Sequence, residues 1–240
     1  MPAVLVHGVP DTTRVWSTLR AQLGRDDVTA LALPGFGNRA PTGFTATKEA
    51  YVEWLLRELR AIRGPIDLVG HDWGGLLVVR AVSVEPGLVR TWAAGAAPLD
   101  PEYVWHAAAQ RWQTPEVGEQ VMARITPELM AAGLAAVGVP AEAAADTGRH
   151  VDDEMKRCIL ALYRSAVHVG AEWTADLARV TAPGLVLWGA GDPYAEARFG
   201  ERLALRTGAR FVSYPECGHW WQLQRPAEVA AELRAHWASV

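Results

Sequence analysis

The chain has 240 residues, half of them hydrophobic, and a formal net charge of -4 at neutral pH. That is enough apolar material for one globular core with an elaboration, and its arginines build no basic face, which argues against nucleic acid or an anionic membrane as principal partner. Two distant cysteines, Cys158 and Cys217, suit neither a disulfide framework nor a zinc site, so a cytoplasmic protein using a small-molecule substrate and no metal or cofactor is expected.

The elements alternate from the start. Val4-Leu5-Val6 reads as a strand ending in His7-Gly8, which leaves no basic-plus-apolar leader, and Val28 to Leu33 reads as the next strand. Between Thr47 and Ile62, Tyr51, Leu55, Leu59 and Ile62 fall on one helical face. Ile66 to Val69 gives another strand, followed by a helix from Gly74 to about Val84 and a strand from Thr91 to Ala94. From Asp100 to Ala182 the pattern is helical, rich in alanine and tryptophan, with breaks predicted at Pro115, Pro127, Gly138-Val139-Pro140 and Gly148. The stretch from Ala131 to Ala145 reads as a weakly specified helical pair or loop. Strands return at Gly184 to Trp188 and Arg210 to Tyr214, and a helix runs from Pro226 to Trp237. Such alternation implies an α/β fold: a mostly parallel sheet of about six strands, covered on both faces. Residues 1-98 and 183-240 would form its core, and 99-182 a helical cap. No apolar stretch is long enough to span a bilayer.

One residue narrows the chemistry. Asp72 sits in Gly70-His71-Asp72-Trp73-Gly74-Gly75 directly after a strand, the pattern of a sharp strand-to-helix turn that presents a nucleophile. A carboxylate there displaces a leaving group from saturated carbon and becomes an ester, which water must cleave. Epoxides and alkyl halides are the natural electrophiles. The alternative role for Asp72 is a helix N-cap. His219, in Gly218-His219-Trp220, and Asp192, in Gly191-Asp192-Pro193, follow the last two strands, at the carboxyl edge where such sheets place their sites. Asp100, after the preceding strand, is the rival acid.

His7-Gly8-Val9-Pro10, the elbow, the Asp192 loop and Gly-His-Trp occur in order, and together the chain resembles the epoxide hydrolase and haloalkane dehalogenase branch of the α/β-hydrolase fold. The resemblance implies a triad of Asp72, Asp192 and His219, with an oxyanion hole from the backbone N–H groups of Val9 and Trp73. It implies cap tyrosines that protonate the epoxide oxygen. Tyr163, in Leu162-Tyr163-Arg164-Ser165, matches one of them, although it can also be read as a half-buried helix residue with a wet hydroxyl. Ala108 stands at the other's place, leaving Trp105, His106 or Trp112 to donate instead. The family's N-terminal hairpin has no counterpart ahead of the first strand. Trp73, Trp105, His106, Trp112 and Trp220 are expected to bind substrate, and a cap bearing Trp105, Trp112 and Trp173 suggests a bulky, flat, apolar one. His71 should pack or hydrogen-bond behind the elbow. The expected reaction is addition of water to an epoxide to give a vicinal diol. Haloalkane dehalogenation is the near alternative, and a catalytically silent ligand-binding protein the distant one.

Overall fold

In a computed structural model that describes residues 1–240, six strands form one parallel sheet. They are β1 (Ala3–Val6), β2 (Val28–Leu31), β3 (Asp67–His71), β4 (Thr91–Gly95), β5 (Gly184–Gly189) and β6 (Arg210–Tyr214). Their spatial order is β2-β1-β3-β4-β5-β6, so the chain reverses its direction of travel between β1 and β3. At such a switch point the loops leaving two adjacent strands diverge and open a crevice. Here those loops are His7-Gly8-Val9 after β1 and the turn at Asp72 after β3.

Alternation along the strands feeds two cores. Val4, Val6, Leu68, Ala94 and Val186 face one side, toward helices α2 (Lys48–Arg60), α3 (Trp73–Val84) and α10 (Ala197–Thr207). Ala3, Leu5, Val69, Ala93, Leu185 and Leu187 face the other, toward α1 (Ser17–Leu23), α11 (Trp221–Gln224) and α12 (Pro226–Ala238). Each fully buried aliphatic side chain contributes about 1.5–3 kcal/mol of transfer free energy. Between β4 and β5 lie only helices: α4 (Ala107–Gln113), α5 (Val117–Arg124), α6 (Pro127–Ala136), α7 (Ala141–Arg149), α8 (Asp153–Ser165), α9 (Val169–Thr174) and a 3-10 segment (Ala175–Arg179). No helix is long and apolar enough to cross a membrane.

Local chemistry explains where the pattern departs from expectation. β2 stops at Leu31 rather than Leu33, because the Leu33 N–H donates to His7 Nε2 (3.0 Å) instead of continuing the ladder. Gly148 does not break a helix. It lies in the last turn of α7, where a Cβ would press on the Pro127 carbonyl, and so lets α7 pack closely on α6. The break between these two helices falls at Gly138, whose φ of +92° suits glycine, and Pro140.

Candidate active site

The turn after β3 holds Asp72 at φ 53° and ψ -123°, an uncommon conformation for a residue with a Cβ. Its side chain does not cap α3, which removes the N-cap reading. Instead Oδ1 accepts from the backbone N–H of Val9 at 2.8 Å, and Oδ2 lies 3.6 Å from His219 Nε2. Gly8 permits this approach, since a Cβ there would collide with the Asp72 side chain. Trp73 N–H, at the first position of α3, has no intrahelical acceptor.

His219 Nδ1–H donates to Asp192 Oδ2 at 2.8 Å, while Asp192 Oδ1 accepts from the backbone N–H groups of Tyr194 and Ala195 at 2.8 and 3.1 Å. Asp72, His219 and Asp192 are therefore connected in one chain. His71 supports it from behind: its Nε2–H donates to the His219 carbonyl at 3.0 Å, and burial drives its pKa down to about 3, leaving it neutral. Asp100 lies outside this network. Its carboxylate is held by Arg202 and Arg206 of α10 (3.3 and 2.7 Å) and by Glu102 N–H (2.9 Å).

The electrostatics set a defined resting state. Burial lowers the His219 pKa, but Asp192 and Asp72 outweigh it and raise the group to about 10. Burial likewise raises Asp72, and its hydrogen bond and charge interaction with His219 reverse that to a net lowering. At neutral pH the pair rests as carboxylate and imidazolium. Esterifying Asp72 would erase one of the two charges that keep the proton on His219.

A cavity of about 260 Å³ opens over Asp72 and His219, with walls that include Trp105, His106, Trp112, Tyr163 and Trp220. Neither arginine nor lysine lines it. Tyr163 is buried, its ring edge-on to the Trp73 indole, and burial raises its pKa well above the usual phenol value. Trp105 lines the cavity, but its N–H is given to the Ala166 carbonyl at 3.0 Å and so cannot donate to substrate. Trp73 departs from the expectation of substrate contact. Its indole is fully buried, stacked on Trp105 (5.6 Å between centroids) and edge-on to Tyr163, and does not line the cavity. Trp173 is also elsewhere, packed under the Arg80 guanidinium.

Three residues near the site escaped the sequence. Tyr103 and Tyr194 line the cavity, and the Tyr103 hydroxyl donates to the Tyr194 carbonyl at 3.1 Å. Asp11 is buried beside it, accepts from Trp220 Nε1–H at 3.0 Å, and is pushed by burial up to about 7. Tyr194 was recoverable from its position two residues after Asp192. Nothing local marked Tyr103.

This arrangement separates the two candidate acids. Asp192→Asn should slow breakdown of an enzyme ester by roughly 10³- to 10⁴-fold, by spoiling the tautomer and charge of His219. Asp100→Asn should leave that rate unchanged and lower stability by about 1–3 kcal/mol through its weakened arginine contacts. Single-turnover rates beside urea unfolding would test both; equal kinetic damage from the two would sink the assignment.

The chain is similar to known proteins. Lipase LipV of Mycobacterium tuberculosis is 28% identical over 247 residues, spanning 96% of this chain and 90% of that protein. The (E)-2-((N-methylformamido)methylene)succinate hydrolase of Acinetobacter baylyi is 28% identical over 94 residues, a match that takes in 38% of this chain and only 36% of the relative's length. Among solved structures, haloalkane dehalogenase DbeA from Bradyrhizobium elkani USDA94 superposes with a TM-score of 0.79 at 20% identity, covering 100% of this chain and 91% of that one. The sequence model of the alpha/beta hydrolase family matches residues 3–232, which contain every strand together with Asp72, Asp192 and His219, and the chain therefore belongs to that family.

Proposed function

We propose that this hydrolase is an epoxide hydrolase, opening a neutral, apolar or aromatic epoxide to a vicinal diol. Residues 99–182 act as its cap, over a core of 1–98 and 183–240. The observation that carries the reading is a half-buried aspartate at the elbow, set beside a histidine and sharing one cavity with the Tyr163 phenol. A cavity without arginine or lysine disfavours anionic substrates. A halide released there would need the Trp73 N–H, and that indole is sealed behind Trp105. Both cysteines are free and buried, in keeping with a cytoplasmic setting.

In the first step Asp72 Oδ2 attacks a ring carbon, the C–O bond breaks, and the oxygen takes the Tyr163 proton. The product is a hydroxyalkyl ester and a phenolate. His219, no longer held by a charged Asp72, gives up its proton, which makes good the one that Tyr163 lost. Water then attacks Cγ of the ester while His219 takes its proton. The oxyanion forms on Oδ1, where the Val9 N–H already points. Collapse releases the diol, whose alkoxide takes the proton from His219, and the new carboxylic acid returns one to His219. The resting pair is restored. No cofactor enters, since side chains, substrate and water supply every proton and electron pair.

Incubation with styrene oxide and, separately, 1-bromobutane would test the reading by product analysis. Phenylethanediol from the first and no bromide from the second is the expected result. Bromide release without diol formation would overturn it in favour of dehalogenation.

A further inference from the structure

Cleaving an ester on Asp72 requires that His219 hold its place, since a misplacement of about 1 Å costs such a step roughly 10²-fold. The loop that carries it, Cys217-Gly218-His219, is tied down residue by residue. The Cys217 carbonyl accepts from Gly191 N–H at 2.9 Å, which fastens it to the Asp192 loop. The His219 carbonyl accepts from His71, which fastens it to the elbow. The middle residue is held by Gln224, at the end of α11. Its Oε1 accepts from Gly218 N–H at 2.7 Å and from the Cys217 thiol at 3.0 Å. The other end of the same amide leaves the core: Nε2–H donates to the Gly138 carbonyl at 3.0 Å, in the turn between α6 and α7. The amide faces one way only, because Gly218 N–H needs an acceptor and the Gly138 carbonyl needs a donor.

That turn belongs to the mouth of the cavity. Leu129, Met130, Gly133 and Leu134 of α6 line it, with Leu129 60% exposed and Gly133 open to solvent. Helices α6 and α7 pack chiefly on each other, and Leu134 and Val139 seat the pair in the apolar cluster that holds Trp220 and Trp221. A Cβ on Gly138 would come within 3.1 Å of Gln224 Nε2, so the glycine that turns the chain also admits the amide. Resting on the epoxide hydrolase reading, we propose that Gln224 is a positioning residue for ester hydrolysis. It sets the His219 loop through Gly218 and fastens to that loop the hairpin that rims the cavity. A side-chain amide does both. A carboxylate would accept from Gly218 but meet the Gly138 carbonyl oxygen against oxygen, and a thioether would do neither.

The test separates the two ends of the amide. With enzyme in excess over styrene oxide, loss of substrate reports ester formation, and decay of the adduct on the Asp72 peptide with appearance of diol reports hydrolysis. Gln224→Met keeps the length of the side chain without the amide. It should consume substrate at the parent rate and hydrolyse the ester about 10-fold more slowly, as a fraction of an ångström of misplacement implies. Gln224→Glu restores the acceptor and should bring hydrolysis back to within about 3-fold of the parent. A group that only stabilised the fold would produce no such split between the steps and no such rescue. The glutamate variant still lacks the donor to Gly138, so amide hydrogens of residues 126–150 should exchange at least about 3-fold faster than in the parent, the effect of one lost hydrogen bond. Arg234→Ala, which removes a surface bond to the Gln22 carbonyl (2.8 Å), should leave both rates and that exchange unchanged. Hydrolysis at the parent rate in Gln224→Met, or equal slowing in Gln224→Met and Gln224→Glu, would overturn the positioning role. Unchanged exchange in Gln224→Glu would overturn the tie to the hairpin. If the parent protein consumes no styrene oxide, it is the epoxide hydrolase reading that fails. The NMR signal of the His219 ring then decides the placement by itself: it should shift in Gln224→Met and return in Gln224→Glu, and a signal that stays put in both would sink the proposal.

Discussion

Asp72→Asn is expected to lower turnover by on the order of 10⁴- to 10⁶-fold, the range for losing one member of a hydrolase triad. The amide has the shape of the carboxylate, and its oxygen can still accept from the Val9 N–H. Asparagine also tolerates positive φ better than most residues, so the turn at φ 53° should survive. What disappears is the anion, and a neutral amide does not displace an alkoxide from carbon. His219 loses one of the two carboxylates that hold its proton, so its pKa should fall from about 10. Steady-state rates with styrene oxide, an unfolding curve and an NMR titration of His219 would check the three statements. Near-native turnover by protein that mass spectrometry shows still to carry asparagine would end the covalent account.

His219→Gln should fail at the other end of the cycle. Attack by Asp72 on the ring needs an anion and a donor on oxygen, and neither is supplied by the imidazole. Cleavage of the ester needs a base for water, and His219 Nε2, 3.6 Å from Asp72, is the group placed to provide it. Overall turnover should drop by a similar factor of roughly 10⁴ or more. The ester should nevertheless form and persist, adding the mass of one substrate to the peptide that contains Asp72. A variant that binds styrene oxide, shown by equilibrium dialysis, yet carries no adduct would contradict a two-step mechanism.

Much of this was legible in the sequence, for reasons that differ from residue to residue. Asp72 is marked by glycines whose absence of a Cβ is a steric necessity: one on Gly70 or Gly74 would strike backbone, so the spacing of the motif records the turn itself. Strand β6 matches its expected range because its β-branched and aromatic residues sit between a glycine and a turn. Helix α10 was missed because Gly200 interrupts its pattern, and the structure shows that glycine clearing space for Trp188 beneath the helix. The choice between Asp192 and Asp100 could not be read locally either, since Asp100 is neutralised by Arg202 and Arg206, about a hundred positions further along. Side-chain direction was the least legible feature. Trp73 follows Asp72 directly yet turns its indole into the core, whereas Tyr103 faces the cavity with no motif to announce it and Tyr194 is marked only by its place two residues after Asp192.

The covalent step at Asp72 can be tested most directly by the fate of oxygen in one turnover. With enzyme in excess over styrene oxide in ¹⁸O-water, the oxygen added to the substrate comes from the Asp72 carboxylate, and the water oxygen replaces it there. The account predicts an unlabelled diol and ¹⁸O in the peptide that contains Asp72. A diol that carries ¹⁸O from the first turnover, with an unlabelled Asp72, would show that water attacks the epoxide itself and would contradict the account.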